Sequence, residues 1–81
     1  MRANNNISQE IKFKLCQRLN DAMENKGISR TEMRQILRDR YDYHISRQTF
    51  QKYQDGINWM PRDFMEHISE ITNINILEGF E

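Results

Sequence analysis

The sequence predicts an all-α fold, a compact bundle of four to five short helices, on three observations. Apolar residues recur at spacings of three and four in successive segments, the period of a helix with one buried face. N-cap residues and Gly- or Pro-containing stops stand between those segments, where helices begin and end. Strand-like alternation occurs only briefly, in the tail around Ile74-Asn75-Ile76.

Residues 1–7 hold Arg2 and the run Asn4-Asn5-Asn6 without an apolar period, which predicts a flexible arm ahead of a single domain over 8–81. Ile11, Leu15, Leu19, Ala22 and Met23 then share one face, with Cys16 beside it, so a first helix is expected over Ser8 to Asn25. Asn25-Lys26-Gly27 supplies its stop. Ser29 and Glu32 spell a capping box that starts a second helix, whose inward residues are Met33, Ile36 and Leu37, continued by Tyr41. Arg40 to His44 has no clear period and no Gly or Pro, and reads as a loop or a frayed extension.

Ser46 caps a third helix running to about Gln54, and Ile45 with Phe50 forms the hydrophobic staple at its entry. Asp55-Gly56 ends it. Pro61 opens a fourth helix to Thr72, with Phe64, Ile68 and Ile71 inward and Met65 assisting. Ile74 to Phe80 is apolar enough to dock as a turn or a fifth helix.

The chain of 81 residues suits one domain, and with 37% hydrophobic and 30% charged residues its core must be small. No apolar run exceeds two residues, which argues against a transmembrane helix or a signal peptide and predicts a cytoplasmic protein. One cysteine, Cys16, and two histidines, His44 and His67, provide neither a disulfide nor a metal-ligand set, so no cofactor is expected. No nucleophile and base stand in a catalytic motif, so the reading is not an enzyme.

Twelve Lys and Arg balance twelve Asp and Glu, yet the charges are segregated. From Lys26 to Lys52 there are seven cations and three carboxylates, a net +4, and the remainder carries five and nine, a net −4. Such asymmetry suits a module with one face toward phosphates.

Helix 3 spends only Phe50 and Tyr53 on the core and projects Arg47, Gln48, Gln51 and Lys52 outward. Arg can bond both acceptors of guanine, and Gln can pair with adenine, in the major groove. Here the sequence resembles the phage-repressor and Cro-like helix-turn-helix family, of the xenobiotic-response-element type, over about Leu15 to Leu77. Gly27-Ile28-Ser29, Met33 and Leu37, and Ile45-Ser46 carry the resemblance through helix 2 and the entry to helix 3. Thr49, Phe50, Tyr53, Asp55 and Gly56, then Pro61, Ile68, Ile71 and Leu77, follow at the family's spacing.

The resemblance implies a lambda-repressor-like DNA-binding domain, a transcriptional repressor of phage or prophage type, which reads double-stranded operator DNA as a homodimer with helix 3 in the major groove. Arg47, Gln48, Gln51 and Lys52 are then the base readers. Thr49 serves either as a base contact or as an intrahelical hydroxyl. Arg30 matches a position that meets the phosphate backbone, and Lys26, Ser46 and Arg38 are further phosphate candidates.

Trp59, Met60, Ile76, Leu77 and Phe80 are candidates for the dimer or a partner, or else for the core. Two features depart from the family: several residues, Arg38 to His44, lengthen the connection between helices 2 and 3, and Arg34 stands where a small residue usually packs. Either Arg34 snorkels outward or the two helices are spread apart. These departures motivate an alternative, an antitoxin-like or co-regulatory interaction module that keeps the scaffold and binds a protein through its Tyr-rich loop or apolar tail.

Overall fold

In a computed structural model, which describes the backbone of residues 2–80 and the side chains of residues 8–80, four helices follow one another with no strand among the described residues. They are α1 (Arg2–Lys26), α2 (Arg30–Tyr41), α3 (Arg47–Gln54) and α4 (Arg62–Thr72). α1 begins at Arg2 and not at Ser8, so the backbone expected as an arm continues the helix. Extending a formed helix fixes one residue per new hydrogen bond and avoids the cost of nucleation, so a polar stretch without an apolar period can still be helical. The side chain of Arg2 lies outside the described residues.

α1 ends as its sequence predicts. Gly27 takes φ +66, its N–H bonds the Glu24 carbonyl at 3.1 Å, and Ile28 N–H bonds Met23 at 2.9 Å. Ser29 caps α2 through the full capping box: Glu32 N–H donates to the Ser29 hydroxyl at 3.1 Å, and Ser29 N–H to the Glu32 carboxylate at 2.9 Å.

At the far end of α2 the extension expected beside a loop is the alternative found, and only its stop was not foreseen. The helix continues through Tyr41 and stops at Asp42, which adopts the left-handed conformation at φ 53 while Tyr43 N–H reaches the Leu37 carbonyl at 3.1 Å. The connection to α3 is therefore residues 42–46 and not Arg38 to His44. An aspartate acts here where glycine usually does, because its short polar side chain tolerates that backbone region. Pro61 likewise proves to be the N-cap of α4 and not its first residue.

The core joins Leu15, Leu19, Ala22 and Met23 of α1, Met33 and Leu37 of α2, Phe50 and Tyr53 of α3, and Phe64, Met65 and Ile68 of α4. α1 packs against α3 and α4, and α2 packs against α3. Phe64 lies at the centre, edge-on to Phe50 with ring centroids 5.5 Å apart, and 4.9 Å from Tyr53. Burying one such ring stabilises the fold by about 1.5–3 kcal/mol. Ile36, expected in this core, is only half-buried and sits among Glu32, Gln35, Asp39 and Arg40. At 3.6 residues per turn it lies roughly 80° around α2 from the midline of Met33 and Leu37, and α2 buries a stripe narrower than that.

α4 is tied to the extra turn of α2. Tyr41 stacks on His67 at 4.1 Å and 22°, its hydroxyl donates to the Glu70 carboxylate, and Tyr43 meets His67 edge-on at 5.4 Å. The described part of the tail folds as turns, the first of the two forms expected, with no fifth helix among the described residues. Arg18 holds it to α1 by donating to the carbonyls of Ile76, at 3.3 Å, and Glu78, with its guanidinium 4.8 Å above the Phe80 ring. Ile76 and Leu77 close the base of the core. Among the described residues no helix is long and apolar enough to cross a membrane.

Candidate functional site

α3 is a short helix fixed at both ends and along one face. Thr49 N–H donates to the Ser46 hydroxyl at 3.1 Å, and that hydroxyl donates to the Thr49 side chain at 2.9 Å. Phe50 and Tyr53 drive inward, and at the other end Ile57 N–H returns to the Lys52 carbonyl at 2.9 Å past Gly56, whose φ is +75. Burial and then the Asp63 carboxylate raise the pKa of the Tyr53 phenol, which keeps it neutral in the core.

The opposite face carries Arg47, Gln48, Gln51 and Lys52, all exposed, and none of these side chains has an intramolecular hydrogen bond or ion pair among the described residues. Gln48, Gln51 and Lys52 line one shallow groove with Asp55 and Ile57. The structure thus brings the four proposed base readers onto one surface. Ser46 is exposed and Thr49 half-buried, and their hydroxyls are hydrogen-bonded to each other in the cap, the intrahelical arrangement foreseen for Thr49.

Gln54, at the end of α3, is the hub that sequence reasoning missed. Its amide donates to the Asn20 side chain at 3.0 Å, its carbonyl oxygen Oε1 accepts from Arg30 Nε at 2.6 Å, and its backbone carbonyl accepts from Asn20 at 2.9 Å. The Cys16 thiol donates to the same backbone carbonyl; burial, followed by the charge of Asp55, raises its pKa and keeps it protonated. A pairing of polar residues across α1, α2 and α3 has no local sequence signature. The one available cue was the location of Gln54 immediately before the Asp55-Gly56 stop. Arg30, a phosphate candidate, is half-buried and committed through Nε to this hub, which orients its guanidinium at the start of α2.

Arg34 neither snorkels outward nor forces α2 and α3 apart. It is half-buried, and its Nε donates to the Ile45 carbonyl at 3.0 Å, bracing the connection while the two helices still pack. Arg38 is exposed, 3.9 Å from Asp39, and Lys26 is exposed at the end of α1.

The apolar candidates for a dimer divide sharply. Met60 and Leu77 are 7% exposed and Ile76 is fully buried, so these belong to the monomer core, because the small helical set needs the tail to close it. Phe80 is half-buried beneath Arg18. Trp59 alone of that group is open, at 51% exposure, and Phe13 and Ile57 are the other exposed large hydrophobics among the described residues. Phe13 covers Gly56, and Lys12 donates to the Ile57 carbonyl at 3.3 Å, so Phe13 and Ile57 adjoin one another at the foot of α3. Neither was singled out from the sequence, since Phe13 falls off the inward face of α1 and Ile57 follows a stop.

No known protein family, curated protein or solved structure matches this chain significantly.

Proposed function

We propose that this chain is a sequence-specific DNA-binding regulator whose α2 and α3 act as a helix-turn-helix, with α3 entering the major groove. The observation that carries this reading is the face of α3. Four polar side chains of the types that bond base edges, Arg47, Gln48, Gln51 and Lys52, stand exposed and without a partner among the described residues, on a helix fixed by two buried aromatics and a cap. Arg30 and Lys26, with Arg38, supply cations around that face for the phosphate backbone. Exposed Asp63, Glu66 and Glu70 on α4 put acidic charge on a helix that this mode leaves off the duplex.

Function as a repressor that occupies an operator, of the phage or prophage kind, extends the same reading. A homodimer on a two-fold site would set its half-sites about 10–10.5 base pairs apart, or a multiple of that. Trp59, with Phe13 and Ile57 beyond the foot of α3, offers the apolar surface for self-association.

That surface also favours a second reading, an interaction module whose partner is another protein. The Tyr-rich loop and the tail supply less to it, because Tyr41, Tyr43, Ile76 and Leu77 pack inward. Selection from a random duplex pool with the purified chain separates the readings. One enriched, two-fold symmetric motif, protected in a footprint, is the expected result. An unenriched pool, with a single protein recovered stoichiometrically from a cellular pull-down, would replace DNA reading with the second role.

A further inference from the structure

Between α2 and residues 43–46 lies a polar cleft of about 310 Å³. Its walls include Arg34 and Arg38, one turn apart on α2, together with His44, Thr31 and Gln35, and the Ser46 cap of α3 closes one side. Among the described residues no carboxylate lines it. Asp39 and Asp42 stand outside, at 3.9 Å from Arg38 Nε and 2.8 Å from His44 Nε2 respectively, and both pairs are exposed. Contacts of that kind contribute little and exchange readily for a better anion.

Arg34 is the organised element. Its Nε is spent on the Ile45 carbonyl, which fixes the plane of the guanidinium and leaves its terminal nitrogens as donors. A fixed guanidinium beside a second one, an imidazole and a hydroxyl-bearing wall matches an oxyanion of tetrahedral shape, for which bidentate arginine contacts are strong. We infer that this cleft is a seat for one phosphate group, held by Arg34 and Arg38 with His44 at its mouth. Its position at the N-terminal end of α3 makes a phosphodiester of the duplex the expected source, and to that extent the inference rests on the DNA reading above. A free phosphomonoester carries the same chemistry.

The test is a titration of the full chain with inorganic phosphate at constant ionic strength, followed by the Nε–H signals of Arg34 and Arg38 and the amides of 43–46. Saturable shifts confined to these groups are expected. Arg38→Ala, at an exposed position, should weaken the midpoint about tenfold, the scale of one charge-assisted contact. Arg34→Lys, which can keep a bond to Ile45, should weaken it while thermal unfolding stays close to the parent, and Lys14→Ala on the outer face of α1 should change nothing.

A second arm uses a selected duplex. If the duplex competes with phosphate and Arg38→Ala lowers the salt slope of duplex binding by about one, the source is the DNA backbone. If phosphate and a nucleoside monophosphate saturate the cleft while no duplex binds, the seat stands and the DNA reading falls. Phosphate shifts that never saturate or spread over the whole surface overturn the seat, as does a duplex that binds tightly and leaves the cleft signals unmoved.

Discussion

Arg34 Nε on α2 donates a 3.0 Å hydrogen bond to the carbonyl of Ile45, the residue immediately before the cap of α3. A side chain thereby spans the connection of residues 42–46 and restrains the entry angle of α3, a task that a tight turn performs when two helices are joined closely.

Replacing Arg34 by alanine leaves the Ile45 carbonyl without this donor, and hydrogen bonds to charged groups are worth about 1.5–3 kcal/mol. Because the site is only half-buried and water can take part, a loss of about 1–2 kcal/mol is expected in urea denaturation. Arg34→Lys should recover most of it; equal losses in the two variants would show that the bond to Ile45 does not brace the fold.

The exposed positions of Arg47 and Gln48 separate reading from folding. The double variant Arg47→Ala with Gln48→Ala should melt as the parent does and lose about 1–3 kcal/mol of sequence discrimination for each bidentate contact removed. The comparison is made on a selected duplex and a scrambled one at the same salt. Preserved discrimination would assign base reading elsewhere.

Acid should loosen α2 from its start. The Ser29 backbone N–H, and then its hydroxyl, hold the Glu32 carboxyl below the ordinary glutamate range. A carboxyl lowered in the folded state contributes stability that is fully present above its unfolded pKa, about 4.3, and lost as pH falls through the folded value. NMR titration of the Glu32 side chain should give a midpoint below that of an exposed glutamate, and Ser29→Ala should raise it. An unchanged midpoint in the variant would remove the hydroxyl as a cause and leave the shift to the backbone N–H, which alanine retains.

Gly56 carries both a turn and a close contact. Its φ is +75, and a Cβ placed there would stand 2.9 Å from the Phe13 ring. Gly56→Ala should destabilise by about 1–2 kcal/mol for the backbone alone, since side chains crowd the carbonyl in that region. Phe13→Ala introduced with it tests the division: recovery of part of the loss assigns that part to the ring contact.

Self-association is expected to respond to the open apolar surface. Trp59→Ala or Ile57→Ser should shift sedimentation toward the monomer while leaving the helical signal and melting temperature near the parent, because both residues are more than half exposed. An undisturbed dimer in both variants would place the contact elsewhere, and a parent that stays monomeric on operator DNA would remove self-association altogether.

The legible part of this fold is the part written in local pattern. The α1 stripe from Leu15 to Met23, the Ser29 and Ser46 caps, the Gly27 and Gly56 stops and the aromatics of α3 all depend on neighbours within a turn or two, and each recurs in the structure. The outward face of α3 was legible for the same reason, by subtraction of Phe50 and Tyr53. The end of α2 was not, because Asp42 imitates a glycine stop and only the contacts of Tyr41 and Tyr43 with His67 reward the longer helix. Met60, Ile76 and Leu77 were ambiguous between core and interface because short apolar segments outside a helix carry no period. The bracing role of Arg34 depends on a partner eleven residues away, beyond any helical repeat.

Gln54 places one amide in contact with α1 and α2 at once, through Asn20 and Arg30. α3 has eight residues, too few to persist as an isolated helix in water. Its existence is conditional on its neighbours, and they lose satisfied polar groups if it departs. Amide exchange in α3 should therefore proceed by the same rare opening that exposes the centre of α1, with no separate low-energy route for the shorter helix. Whatever α3 meets encounters a surface that is either fully formed or absent along with the rest of the fold.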